Sequence, residues 1–410
     1  MMVMNSLLYE FNPWWEEGYR FQLYEREQYT KKISEKLKTN RIILLAGLRR
    51  VGKSSIMKLM IQKMLQDGIL KENILYVSLD DFLLDNKNIL EILAEYRKLM
   101  KKKKEEQVYL FLDEITNKDH WQRQLKTLYD RENCVIIASS SSSSVFSDEH
   151  ASLTGRSTIL TIEPLDFDEW LYFKKIDLKK RDSNLLEAYF EDFLASGGMP
   201  EYILNNDRDY LQNLVEQLLY KGIIAKHNIK MKSLIRDMFL LLMDGSCEAN
   251  SLGVSKKLQH AGKQISITKM GKILGISSSN AKRYLEYFEQ TFLIYLVGRY
   301  GKTNEQILSP KKLYAGDIGI RSVYTGFRDK GAVFENYVYL MIKDKQPSYY
   351  YENGIELDFL IQHVDGTKTI LECKYQSELT QKQRELLEKT VAEKKLVING
   401  FKSLELLKKL

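Results

Sequence analysis

Between residues 25 and 164, short apolar runs alternate with longer segments whose apolar residues recur every three or four positions. The runs "RIILLAG" (41–47), "NILYVSLD" (73–80), "VYLFLDEI" (108–115) and "NCVIIASS" (133–140) are largely apolar and end in polar residues or glycine, which predicts buried strands. The stretch "KSSIMKLMIQKMLQDG" (53–68) has helical periodicity and a terminating glycine, and 87–101 and 119–131 also read as helices. A strand buried on both faces loses its polar alternation. Strands of that kind alternating with helices predict a mostly parallel sheet covered on both sides, an α/β fold.

The pattern changes after residue 166. From about 167 to 245 the chain reads as helical, without a strand signal, and is expected to form a lid or connector. The segment 266–302 reads as a short helix, the turn "GIS", a second helix and an apolar hairpin, the order of a winged helix-turn-helix. Beyond 306, a helix around "FENYVYLMIK" leads into short strands at 348–351, 355–361 and 368–374. Near the N-terminus, "EFNPWWEEGYRF" (10–21) is an aromatic arm expected to pack on its own domain.

Composition narrows the class. A chain of 410 residues with 44% hydrophobic and 29% charged residues is long enough for several packed cores and is not disordered. Its net charge of +7 is compatible with nucleic acid but, unclustered, does not argue for it. The three cysteines, Cys134, Cys247 and Cys373, lie far apart in apolar runs, as buried thiols in a reducing compartment would. No Cys or His pair has zinc-ligand spacing. The apolar runs are too short to span a bilayer and no leader pattern opens the chain, so the expectation is a cytoplasmic protein without a membrane partner.

One motif carries defined chemistry. "GLRRVGKS" (47–54) follows a predicted strand and opens a predicted helix, and it fits the G-x-x-x-x-G-K-[ST] phosphate loop. Gly47 and Gly52 allow a tight turn. The backbone of Leu48, Arg49, Arg50 and Val51 can then face an anion at the helix N-terminus, into which Ser55 continues. Lys53 brings a compact charge to the outer phosphates, and the Ser54 hydroxyl suits Mg2+. Asp113 ends an apolar strand, where its carboxylate can hold the metal, and Glu114 can orient or deprotonate the attacking water. "NKD" at 117–119 lacks the spacing of a guanine motif, which favours ATP. Of the serine run 139–144, Ser139 is placed to sense the outer phosphate. Arg156, closing "SLTGR", is a candidate arginine finger within or between subunits.

Taken together, "NPWW", "GLRRVGKSS", "FLDEI", "SLTGR", "EPLDFDEW", "SGGMPEYIL", "LYAGDIGI", "FENYVY" and "ELDFLI…LECKY" resemble, in order and over nearly the whole chain, a family of archaeal and bacterial AAA-like P-loop ATPases. That family is related to the signal-transduction ATPases with numerous domains. The resemblance implies a P-loop ATPase domain over 1–165, a helical lid over 166–245, a winged helix-turn-helix over 246–305 and a PD-(D/E)xK nuclease-like domain over 306–410. In that last domain Glu335, Asp358, Glu372 and Lys374 match the nuclease-like pattern. Asp358 and Glu372 would hold a divalent metal, Glu335 would complete its shell, and Lys374 would position water or stabilise charge. The chain departs from the family at Ser139–Ser142, where members often read Thr-Gly-Ser-Ser. Two functions stay open at this point. One is a Mg2+-dependent ATPase that couples nucleotide state to DNA binding, with or without cleavage. The other is an ATP-driven switch acting on a protein partner or a second copy, with an inactive nuclease-like scaffold.

Overall fold

The computed structural model describes residues 2–146, 153–176, 183–244 and 264–410. The chain divides into two compact units, residues 1–163 and 164–410.

The first unit holds five parallel strands, β1 (Ile42–Ala46), β2 (Ile74–Ser78), β3 (Val108–Asp113), β4 (Cys134–Ser140) and β5 (Ser157–Thr161), in the order β2-β3-β4-β1-β5. Helices α1 (Met2–Phe11), α2 (Glu27–Leu37), α3 (Lys53–Gln66), α4 (Ile89–Leu99) and α5 (Trp121–Arg131) accompany them. All five β1 residues are buried, as its unbroken apolar run requires. β5 gave no sequence signal because "STILT" at the sheet edge leaves most of its positions half-buried. The aromatic arm does pack on its own unit. Trp14 and Trp15 are buried, and the Asn12 side chain donates to Tyr76 O at 2.9 Å and accepts from Tyr76 N at 2.7 Å. That pair completes a ladder position on edge strand β2, an edge that would otherwise offer itself to another chain.

The second unit begins with α6 (Phe167–Phe173), α7 (Ser183–Ser196), α8 (Pro200–Asn205), α9 (Arg208–Gln217) and α10 (Lys232–Asp244). Next come β6 (Gln264–Ile265), α11 (Ile267–Leu274), α12 (Ser278–Gln290), β7 (Ile294–Val297), α13 (Thr303–Leu308) and β8 (Lys311–Ala315). β8 pairs antiparallel with both β6 and β7, so this small sheet runs past residue 305, where the sequence placed a boundary. The expected hairpin is open, its two strands separated by α13. The start of the expected winged-helix segment and Cys247 fall within 245–263, outside the described residues. Of the other cysteines, Cys373 is buried and Cys134 half-buried, and neither is in a disulfide.

The unit closes with α14 (Ile318–Thr325), α15 (Lys330–Ile342), β9 (Ser348–Glu352), β10 (Ile355–Gln362), β11 (Lys368–Lys374), α16 (Gln381–Lys389) and β12 (Lys394–Asn399). These last four strands form a sheet in the order β12-β11-β10-β9, antiparallel except for the parallel β11–β12 pair. Among the described residues no helix is long and apolar enough to cross a membrane.

Candidate functional site

The phosphate loop joins the C-terminal end of β1 to the first turn of α3. Gly47 is required by close approach, because a Cβ there would lie 2.2 Å from the Ile162 carbonyl oxygen. Gly52 caps α3 with φ 97°, a left-handed conformation that costs glycine little. The buried side chains of Leu48 and Val51 anchor the loop, while Arg50 and Ser55 are exposed and Arg49 and Ser54 half-buried. Arg26, which the sequence did not single out, clamps the loop from outside: its guanidinium donates to Val51 O at 2.8 Å and Glu163 O at 3.0 Å.

Lys53 is buried, and its ammonium donates to Gly47 O at 3.0 Å and Leu48 O at 3.1 Å, with Glu114 Oε1 at 3.9 Å. Burial pulls its pKa below the ordinary lysine range, against Glu114 and Asp113, which favour the charge.

Asp113 and Glu114 leave β3 beside the loop, and three hydroxyl residues hold them. Tyr76 donates to Asp113 Oδ2 at 2.7 Å, and Ser54 lies near the same phenol. Ser139 donates to Asp113 Oδ1 and accepts from Glu114 N at 3.0 Å. Ser141 donates to Glu114 Oε2 from its backbone at 3.1 Å and its hydroxyl at 2.9 Å. Burial, then Asp113, pushes the Tyr76 phenol well above its ordinary pKa, so it remains a donor. Ser54 and Asp113, two hard oxygen donors on either side of one phenol, fit Mg2+. They would hold the ion, and it would neutralise charge on nucleotide phosphates.

Ser139 is buried on β4, between β3 and β1, where its hydroxyl donates to Asp113 and accepts from Glu114 N. The expectation for Arg156 changes. Arg156 precedes Ser157, the partner of Ile42 at the start of β1, and donates to Asp130 at 3.0 Å. The five residues of β1 separate it from Gly47, roughly 16 Å of strand. Arg156 therefore cannot reach the loop of its own chain.

A second cluster lies in the C-terminal part of the other unit. β10 and β11 bring Asp358 beside Glu372. Asp358 N donates to Glu372 Oε2 at 3.1 Å, and Cys373 N to Asp358 Oδ2 at 2.8 Å. Lys374 and Gln383 donate to Glu372 Oε1 at 2.9 and 2.6 Å. Glu335, on α15, accepts from Tyr314 at 2.7 Å. Glu335, Asp358, Glu372, Lys374, Lys382 and Gln383 line a cavity of about 520 Å³. Burial, then the Asp358 charge, pushes Glu335 up to about 7 and Glu372 up to about 8.

The residue of this cluster that the sequence did not single out is Lys312. Fully buried, its Nζ lies 2.7 Å from Glu335, 2.9 Å from Glu356 and 3.1 Å from Asp358. Burial opposes its charge, yet the surrounding carboxylates hold its pKa well above the ordinary value. The sequence expected Asp358, Glu372 and Glu335 to converge on a divalent metal. Instead Glu335 and Asp358 converge on an ammonium. Among the described residues no group of three or more His, Cys, Asp or Glu is arranged so that it could hold a metal ion. As arranged, this set does not fit a divalent ion.

The sequence profile of the AAA domain family matches residues 39–171, and that of a domain of unknown function, DUF8612, matches 187–331. The chain is 30% identical over 386 residues to uncharacterized protein MJ1544 of Methanocaldococcus jannaschii, covering 89% of this chain and 82% of that one. It is 26% identical over 319 residues to an uncharacterized protein of Haemophilus influenzae, covering 76% and 75% of the two chains. Among solved structures, the Walker-type ATPase PABY2304 of Pyrococcus abyssi is similar at TM-score 0.44 and 16% identity, over 74% of this chain and 96% of that one. That last likeness is too distant to carry function across. The loop geometry and the AAA match agree, and the chain is an AAA-like P-loop ATPase belonging to the same family as MJ1544.

Proposed function

We propose that the chain is a Mg2+-dependent ATPase whose nucleotide state controls DNA binding. The carrying observation is the grouping of Lys53, Ser54, Asp113 and Glu114 beyond the C-terminal ends of β1 and β3, with Glu114 Oε1 3.9 Å from the Lys53 ammonium and Tyr76 donating to Asp113. Lys53 binds the outer phosphates, the loop amides orient them, and Glu114 takes the proton of the attacking water while Ser141 holds its carboxylate.

The DNA contact is assigned to α12. Ser277 caps it, and Ser278, Ser279, Lys282 and Arg283 are exposed along its first turns, behind the turn that follows α11. Together with the β6-β8-β7 sheet, this supports a winged helix-turn-helix reading of the segment. The order α15-β9-β10-β11-α16-β12, with Glu335, Asp358, Glu372 and Lys374 in their places, supports a nuclease-like fold for the C-terminal part. The lysine at its acid centre favours a second reading of that part, as scaffold for an ATP-driven switch acting on a protein partner or a second copy.

ATP turnover and binding of fluorescent duplex DNA, measured across a salt series with and without ATP, test the proposal. The expected result is affinity that falls with salt, differs with nucleotide, and drops about tenfold in Lys282→Glu/Arg283→Glu. Turnover unchanged in Lys53→Ala would remove the phosphate-loop assignment. Turnover with no salt-dependent DNA binding would leave the switch reading.

A further inference from the structure

We propose that the Lys312 ammonium is the resident cation of the C-terminal acid cluster, standing where a carboxylate site would otherwise take a divalent metal. The first support is geometric. Carboxylates from two elements, Glu335 on α15 and Glu356 and Asp358 on β10, reach one fully buried nitrogen within 3.1 Å. The second is the occupation of the remaining Asp358 oxygen and of both Glu372 oxygens. Asp358 Oδ2 receives Cys373 N, Glu372 Oε2 receives Asp358 N, and Glu372 Oε1 receives Lys374 and Gln383. The third is the pattern of β8, where alternation puts Lys312 and Tyr314 on one face and both donate to Glu335 Oε1.

Neither half of this cluster is stable alone. A lone buried ammonium and an uncompensated group of buried carboxylates are each strongly unfavourable, and together they satisfy one another. A divalent ion brought to the same oxygens would compete with the ammonium for them and be repelled by its charge. The ammonium's ion pairs thereby join β8 and α15 to β10 at the place a metal would otherwise take. Removing the ammonium while keeping the carboxylates would open a site of hard oxygens suited to Mg2+ or Mn2+.

The test is Mn2+ titration of the nucleotide-free full-length protein, followed by electron paramagnetic resonance, on wild type, Asp358→Asn, Glu372→Gln, Lys312→Met and Lys312→Met/Asp358→Asn. Wild type, Asp358→Asn and Glu372→Gln are expected to take up the same Mn2+. Lys312→Met is expected to gain one equivalent, bound about tenfold more tightly than any in wild type, and the double variant to lose it. Wild-type Mn2+ that disappears in Asp358→Asn or Glu372→Gln would overturn the proposal, as would a folded Lys312→Met that gains none. Should Lys312→Met fail to fold, the comparison of wild type with the two carboxylate variants decides alone.

Discussion

Tyr76 donates its phenol proton to Asp113 at 2.7 Å, and Ser54 lies near the same phenol. Its backbone is fixed by Asn12, and Trp14 packs edge-on against its ring at 6.4 Å. The phenol thus fixes one candidate magnesium ligand, Asp113, while competing with the ion for it. Tyr76→Phe keeps the ring and removes the competition. It should lower stability by about 1 kcal/mol and reduce the Mg2+ needed for half-maximal turnover by about fivefold, the worth of one hydrogen bond. A magnesium titration of ATP turnover checks this. An unchanged or increased requirement would mean that the phenol assists the metal instead.

Glu114 is held by two donors from Ser141 and adopts a left-handed backbone at φ 53°. Glu114→Gln should leave ATP affinity within about threefold and slow turnover roughly a hundredfold or more, the usual size of a general-base contribution. Ser141→Ala removes one of the two hydrogen bonds and leaves the backbone one. It should lower kcat a few-fold without changing KM, as expected of a positioning residue. Single-turnover hydrolysis beside nucleotide-binding titrations separates the two effects. A larger loss of affinity than of rate would place Glu114 in binding.

Arg156 lies at the opposite end of β1 from Gly47, against Asp130. Any finger role must therefore be played toward a second copy. Arg156→Ala should turn over ATP within about twofold of wild type in dilute protein, and a deficit should emerge only as concentration drives self-association. Turnover measured across a protein-concentration series checks it. A deficit independent of concentration would point to a role inside the chain.

The strands of the nucleotide fold were legible because burial on both faces erases polar alternation, as in "IILLA" and "VYLFLD". The phosphate loop was legible because its residue types are dictated by backbone geometry. β5 and β12 were not, since edge strands such as "STILT" and "KKLVIN" keep polar and half-exposed positions. Tyr76, Arg26 and Lys312 were missed for one shared reason. Each acts on a residue at least 20 positions away, Lys312 on Asp358 across 46 and Tyr76 on Asp113 across 37. No local spacing records such pairs. Lys312 also reads as one of two lysines opening a strand, a pattern ordinarily solvated, whereas the folded chain sets its ammonium against Glu335 of α15 and Glu356 and Asp358 of β10.

Asp317 offers a test of how the second unit responds to pH. Its buried carboxylate caps α14 by accepting from Ile320 N at 2.9 Å and ties the 197–199 turn by accepting from Gly198 N at 2.8 Å. Burial raises its pKa to about 6, against those amides, which favour the charged form. A carboxyl with a raised folded pKa binds more protons folded than unfolded. Its contribution is fully present below the unfolded pKa of about 4 and is lost as pH climbs to about 6. The shift corresponds to about 3 kcal/mol across that window. Asp317→Asn cannot titrate and turns one amide donor toward a backbone N–H, which should cost about 1–2 kcal/mol near neutrality. Denaturant unfolding at pH 4, 5, 6 and 7 should show wild type losing stability relative to Asp317→Asn between pH 4 and 6, and a constant difference above. A difference that stays flat throughout, or that grows in favour of wild type as pH rises, would mean that the backbone amides outweigh burial and keep Asp317 ionised.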